Sequence, residues 1–529
     1  MRNFLRFPLG RRERSGWCLR RQLSLLLLAS CVLLAPAAAL ARRHRALAGQ
    51  INAILHATSA RRGFWGIEVV RLSDGKVLYA RNADRLFEPA STMKLFTTAA
   101  ALTKLGPDFI IRTTVECPSL PDSEGRVPDL ILVGRGDPNL GSRVLPYHLK
   151  TEFRSPADAD FEELADQVVK KGVREVTGDI IADDSYYADQ PYGPNWAIDD
   201  MVWGYGAPIT ALAFNDNSLT LRVQPGSAVG SCAQIALEPV AGYYRIKDEV
   251  KTTSDDVPAK VEVARAPGSM DLDVWGHVPL GSREIKEDVA IENPPRLIGE
   301  MFRRLLEQRG VKVDGRVTVR EQSPAAMAAD VGASPEPEAR YVLAEHDSLP
   351  LRQDIKVTLK VSQNLHAEML LRTMARKVSG QGSLQAGVKI LAGFARELNI
   401  PPDQVCFAGG SGLSRDTLVS PNALIKLLEF MARSGDFKDF LDALPVAGVD
   451  GTLADRFENT SAKGRIHAKT GSMEHVNTLA GYMDPPGGGR LAFVIMSNSH
   501  PLHSAAAIGV VDRLAVAIYR QFAGGRPAR

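Results

Sequence analysis

Three short clusters of polar side chains combine residue types that can carry nucleophilic chemistry. Ser91-Thr92-Met93-Lys94 is a Ser-x-x-Lys. On a helix, positions i and i+3 share a face, so the amine at 94 can reach the hydroxyl at 91. A Ser nucleophile needs a base beside it, and a Lys kept neutral by burial can serve. A place at the start of a helix adds partial positive charge, which favours an alkoxide. The spacing alone discriminates little. Ser73-Asp74-Gly75-Lys76 has it too, but turn chemistry accounts for that match, and Ser91 alone also fits a helix N-cap.

Ser362-Gln363-Asn364 places a hydroxyl and an amide two residues apart in a region of helical pattern. In isolation it could equally be a solvated helix face. A second Ser-x-Asn, Ser420-Pro421-Asn422, is explained as an N-cap followed by Pro at the first helical position. Lys469-Thr470-Gly471-Ser472 is the most specific of the three clusters and immediately precedes a terminal pair of strand-like runs. An ammonium and a hydroxyl there suit a carboxylate, and Gly471 would let another backbone, such as a substrate along a strand edge, come close.

Ser-x-x-Lys, Ser-x-Asn and Lys-Thr-Gly in that order resemble the penicillin-recognising serine enzymes. Residues 91 and 362 lie 271 positions apart and 362 and 469 lie 107 apart, room for a large inserted domain. In this the chain is similar to class C low-molecular-mass penicillin-binding proteins, the type-4 D-Ala-D-Ala carboxypeptidase/endopeptidase kind. The likeness extends to Gly134-Arg135-Gly136-Asp137-Pro138, Gly178-Asp179-Ile180, Phe214-Asn215-Asp216-Asn217, Ser411-Gly412-Leu413-Ser414-Arg415 and residues 444–453. It departs at Gln363, where the family usually has Asp, and at Gly409, where Asp-Gly often precedes the Ser-Gly-Leu-Ser segment.

The resemblance implies Ser91 as nucleophile, Lys94 as its base, Ser362 relaying a proton to the leaving amine and Asn364 holding Lys94 and the substrate amide. It further implies Lys469 and Thr470 on a terminal carboxylate, and an oxyanion hole from the backbone N–H groups of Ser91 and Ser472. Burial and the Lys469 ammonium are expected to lower the Lys94 pKa. The implied substrate is a peptidoglycan stem peptide, with β-lactams as covalent inhibitors and no cofactor. A β-lactamase-type hydrolase and a catalytically idle wall-binding protein are the alternative readings.

The elements that must position these groups form an α+β pattern. Phe64–Leu72 and Val77–Ala80 read as a hairpin, and residues 91–104 as a helix behind Pro89. Residues 107–322 alternate short β runs with Gly-, Pro- and Asp-rich turns, interrupted by helices at 161–171 and 295–308. A long amphipathic helix is predicted from Asp354 to Lys377, with further helices at 383–398, 421–434, 436–442 and 504–522. Two strands, 478–483 and 490–496, complete an antiparallel sheet drawn from both ends of the chain. The expected division is a transpeptidase-like catalytic domain at 42–106 and 323–529, an inserted domain at 107–221 and 285–322, and a nested β subdomain at 222–284.

Residues 1–41 read as an export signal: a basic start, an apolar run from Leu23 to Leu34, and an Ala39-Leu40-Ala41 cleavage site. Lipidation at Cys31 and a retained membrane anchor are the alternatives, and peripheral membrane or wall association remains open. This segment holds seven Arg and one Glu, so the formal charge of +3 for all 529 residues becomes −3 after residue 41. That removes any electrostatic case for nucleic acid. Cys117, Cys232 and Cys406 remain, enough for at most one internal disulfide. With no paired CxxC and no HExxH, zinc has no support.

Overall fold

The computed structural model describes residues 46–523 except 58, 142, 148–155, 330–339 and 488. The export signal, Cys31 included, lies outside the described residues.

The first layer is a five-stranded antiparallel sheet in the order Ile466–Met473, Val476–Met483, Leu491–Asn498, Phe64–Arg71, Lys76–Arg81. Three strands follow residue 465, where the sequence predicts two, because Lys-Thr-Gly itself pairs as the outer strand. Side chains alternate between faces along a strand, and the alternation divides two cores. Leu479, Phe493, Ile495 and Ile67 face helix Ser504–Phe522 and the helix at 46–56. Ala480, Tyr482, Val494 and Met496 face helices Lys94–Leu105 and Pro421–Met431. Val476–Met483 and Leu491–Asn498 are buried on both faces, which is why they read as continuous apolar runs.

The second layer is a mixed sheet in the order Val317–Gln322, Ile180–Ala188, Leu130–Val133, Arg112–Cys117, Tyr341–Asp347. Tyr341–Asp347 pairs antiparallel with Arg112–Cys117. This corrects the expected return to the catalytic domain at 323: the chain stays in the inserted layer through Asp347 and leaves it at helix Leu351–Lys356. The region read as a linker begins with a helix, Pro324–Ala329. The nested piece comprises two three-stranded sheets, one of which starts at Ser218 and ends with Ile285–Ala290, slightly beyond 222–284.

The helix predicted from Asp354 to Lys377 is not continuous. Leu351–Lys356 passes into a wider π turn at Val357–Val361, Ser362 turns left-handed (φ 70°), and a new helix runs Asn364–Ser379. The β-branched residues Val357, Thr358 and Val361 weaken the helix here, and Gln363 restarts it by accepting from the Leu365 N–H at 3.1 Å. All three cysteines among the described residues are free, so the one disulfide that their number would allow does not form among them; Cys117 is buried, Cys232 and Cys406 exposed.

Candidate active site

Ser91 sits on a 3₁₀ turn, Ala90–Met93, that leads into helix Lys94–Leu105. The turn is fixed from several sides. The Pro89 carbonyl accepts from the Thr92 hydroxyl at 2.7 Å and from the Thr478 hydroxyl of the neighbouring sheet at 2.9 Å. Ala90 is held at φ 45°, a left-handed conformation that non-glycine residues rarely keep without such support.

Lys94 is fully buried. Its Nζ lies 2.7 Å from Ser91 Oγ, 2.6 Å from Asn364 Oδ1 and 3.0 Å from the Ser411 carbonyl. Burial pulls its pKa down to about 7, with the Glu368 carboxylate opposing the fall. At neutral pH a large share of Lys94 is therefore a free amine in contact with the Ser91 hydroxyl. That is the state a general base requires.

The break in the 351–379 segment brings the second motif into place. Ser362 Oγ accepts from Lys469 Nζ at 2.7 Å. Asn364, first residue of the restarted helix, receives Lys94 on Oδ1 and donates from Nδ2 to the Tyr205 carbonyl of the inserted domain at 2.8 Å. A straight helix through 362 could not point both side chains this way.

Lys469 is also fully buried and lies on the outer strand of the first sheet. Its pKa is pushed well below the usual lysine value, first by burial and then by the charge of Lys94. The repulsion between the two ammonium groups is mutual, so a charge on either lysine disfavours a proton on the other. Thr470 Oγ1 donates to Thr452 Oγ1 at 2.8 Å, which ties the strand to the 444–453 loop. Ser472 is exposed, its hydroxyl 3.1 Å from Asn477 Nδ2. A Cβ on Gly471 would strike Thr478 Oγ1 and come within 2.8 Å of the Pro89 carbonyl and 3.0 Å of the Ser91 nitrogen. Gly471 thus admits the protein's own nucleophile turn, rather than the substrate backbone expected from sequence.

All the residues singled out by sequence converge on this one place. Sequence reasoning missed the groups that hold them. Glu368 accepts from the Gly410 and Ser411 N–H groups at 2.9 Å each and from the Ser411 hydroxyl at 2.7 Å, while Arg372 donates to its other oxygen at 3.1 Å. A side chain at Gly409 would begin 2.8 Å from Glu368, so the family's Asp at that position would set two carboxylates together here. Lys360 anchors the 444–453 loop by donating to the Leu444 carbonyl at 2.8 Å and to Asp450 at 2.6 Å. The one local signal for Glu368 was its i,i+4 spacing from both Asn364 and Arg372 on a single helix.

A second buried network joins the inserted domain to the same helix. His366 is fully buried, with Nδ1 2.7 Å from Asp354 and Nε2 3.0 Å from Asp216. Burial disfavours its charge, but the two carboxylates outweigh burial and raise its pKa to about 9. Asp216 is also paired with Arg143, and Asp354 accepts from Asn139 at 3.1 Å.

The D-Ala-D-Ala carboxypeptidase 3 (S13) family model matches residues 47–517. A D-alanyl-D-alanine carboxypeptidase of Actinomadura sp. (strain R39) is 32% identical, over 90% of this chain and 84% of that one. The D-alanyl-D-alanine carboxypeptidase DacB of Haemophilus influenzae is 25% identical, over 82% and 85%. The crystal structure of penicillin binding protein 4 (dacB) from Haemophilus influenzae superposes with a TM-score of 0.74 at 22% identity, covering 89% of this chain and 98% of that one, a likeness of fold. By its match along nearly the whole described chain, this protein belongs to the D-Ala-D-Ala carboxypeptidase 3 (S13) family and is a serine-type DD-peptidase.

Proposed function

We propose that the enzyme cleaves the D-Ala-D-Ala bond of peptidoglycan stem peptides through an ester on Ser91. The observation that carries this is the Lys94 amine, fully buried, with a pKa near 7 and 2.7 Å from the Ser91 hydroxyl. Ser91 Oγ attacks the penultimate D-Ala carbonyl as its proton passes to Lys94 Nζ. The backbone N–H groups of Ser91 and Ser472 receive the oxyanion. The C–N bond then breaks as the proton on Lys94 Nζ passes by way of the Ser362 hydroxyl to the leaving nitrogen, which returns Lys94 to the free amine; water later attacks the ester carbonyl, Lys94 takes its proton, and that proton goes to Ser91 Oγ as the ester C–O bond breaks. Asn364 orients Lys94 and the substrate amide. Lys469, Thr470 and the close packing allowed by Gly471 form the seat for the terminal carboxylate. β-Lactams enter the same route and stop at the ester, as suits the family; one solved relative of this fold is a complex with a β-lactam.

Peptide mapping after labelling with a fluorescent penicillin tests the assignment. Label is expected on Ser91 alone and absent from Ser91→Ala; label persisting in that variant overturns it. The enzyme acts outside the cytoplasm after removal of residues 1–41, and no helix among the described residues is long and apolar enough to cross a membrane. The intact mass of exported protein should correspond to a start near Arg42; a lipid-modified chain starting at Cys31 would contradict this.

A further inference from the structure

Lys94 Nζ has three polar neighbours, and they differ in what each can do. The Ser411 carbonyl, 3.0 Å away, can only accept. Asn364 Oδ1, 2.6 Å away, also only accepts, and its amide is held that way round because Nδ2 donates to the Tyr205 carbonyl. The Ser91 hydroxyl, 2.7 Å away, can donate or accept. A protonated Lys94 has three N–H bonds, one for each neighbour. A neutral Lys94 has two N–H bonds and one lone pair. The two obligate acceptors take both N–H bonds, so the lone pair is left facing the Ser91 hydroxyl. That is the alignment in which the Ser91 O–H bond breaks as the new bond to nitrogen forms.

The Ser411 carbonyl is backbone and needs something to aim it. Gly409-Gly410-Ser411-Gly412 runs between the nucleophile turn and helix Asn364–Ser379. A Cβ on Gly410 would strike the Ala367 carbonyl of that helix, and one on Gly412 the Ala90 carbonyl of the turn. Within this slot a single oxygen of Glu368 collects the Gly410 N–H, the Ser411 N–H and the Ser411 hydroxyl. Its other oxygen takes Arg372, which also donates to the Gln190 carbonyl at 3.3 Å. Glu368, Arg372 and Ser411 are all buried. We propose that Glu368 is a positioning residue for acylation, presenting the Ser411 carbonyl to Lys94 and so turning the lone pair of the base onto Ser91. This rests on the reading of Lys94 as the base.

The charge of Glu368 has a second effect. Among the described residues, the ionic groups facing Lys94 are Glu368, with Arg372 behind it, and Lys469 on the outer strand. The carboxylate supports a proton on Lys94, so its removal should lower the pH at which the amine becomes free. A side chain that merely filled space would leave that pH where it is.

The test is acylation of the mature protein by a chromogenic cephalosporin across the acid limb, with the rate at saturation separated from the half-saturating concentration. Glu368→Gln combined with Arg372→Leu removes both buried charges together and keeps an oxygen that can accept from residues 410 and 411. Its acid limb should move to lower pH by about half a unit or more, with the saturated rate above the limb within about fivefold of wild type. Glu368→Leu combined with Arg372→Leu loses that oxygen too, and its saturated rate should fall about twentyfold or more at unchanged half-saturation. Gly409→Ala keeps every charge but starts a methyl 2.8 Å from the Glu368 oxygen. Three bonds tie that oxygen to the 410–411 turn, so displacing it should lower the saturated rate about fivefold or more. Thermal melting reports folding, and Gly409→Ala decides the matter if neither double variant folds. The proposal is overturned if the folded double variants keep the wild-type acid limb, if Gly409→Ala acylates at the wild-type rate, or if the losses lie in half-saturation alone. Failure of the underlying reading shows separately, as a wild-type acylation rate that does not depend on pH.

Discussion

Replacing Lys94 by Arg separates a base from a mere cation. Lys94 has a pKa near 7, so at pH 7 about half of it is neutral. Arg, whose guanidinium stays protonated far above neutral pH, is neutral in roughly one molecule in 10⁵ or fewer at that pH. If the neutral amine takes the Ser91 proton, acylation should fall by about 10⁵, equivalent to roughly 7 kcal/mol of activation free energy. The same reasoning fixes the pH profile of wild type. Deprotonated Lys94 declines tenfold per unit below its pKa, so acylation should be near-maximal at pH 8 and about a hundredfold lower at pH 5. Stopped-flow acylation by a chromogenic cephalosporin measures both. Lys94→Arg acylating within a hundredfold of wild type, or a flat wild-type profile between pH 5 and 8, would refute the role given to Lys94.

Substitution of Lys469 should act differently, since the role proposed for it is to meet a carboxylate. Lys469→Arg is expected to keep measurable acylation and, by fixing a positive charge beside Lys94, to move the acid limb to lower pH; Lys469→Ala should lose about 30- to 1000-fold, the worth of roughly 2–4 kcal/mol in a charged contact. Gly471→Ala puts a methyl against Thr478 and the Pro89 carbonyl, so both melting temperature and acylation rate should drop, by about 1–3 kcal/mol in stability on chemical denaturation. His366→Gln leaves Asp216 and Asp354 without their shared cation, and a loss of about 3–5 kcal/mol is expected. Because His366 is raised from 6.5 to about 9, its contribution is complete below pH 6.5 and is lost as pH rises through 9. Wild-type stability should therefore decline across that window by a component of about 3 kcal/mol that His366→Gln lacks.

What could be read from the chain follows the range of the interactions involved. Ser-x-x-Lys was legible because one helical turn suffices to bring its members together, and Lys-Thr-Gly because few other roles explain it. The terminal helix at 504–522 and the first hairpin were legible from hydrophobic period alone. Ser362 and Asn364 were found, but not the left-handed break that aims them, since the apolar spacing on either side of Val357–Val361 stays helical. Glu368, Ser411, Tyr205 and the His366 bridge depend on segments that meet only in the folded molecule. Tyr341–Asp347 escaped the inserted domain in the sequence reading for a similar reason. Its partner, Arg112–Cys117, is more than 200 residues away, and a long polar and Ala/Pro segment precedes it.

Two buried lysines in one site repel each other, and the surroundings divide the burden unequally. Glu368 lies close enough to support a proton on Lys94, whereas the pKa of Lys469 is set by burial and by the Lys94 charge, both lowering it. Before substrate arrives, the site therefore favours Lys94 as the holder of any proton. A carboxylate seated against Lys469 and Thr470 reverses the preference, since an opposite charge within a few ångströms stabilises an ammonium at 469. That ammonium in turn disfavours a second one at 94, and Lys94 then faces the Ser91 hydroxyl as a free amine at 2.7 Å. In the proposed mechanism, the carboxylate that marks a peptide terminus would thus act on the base as well as on affinity. A substrate lacking it should lose acylation rate even at saturation.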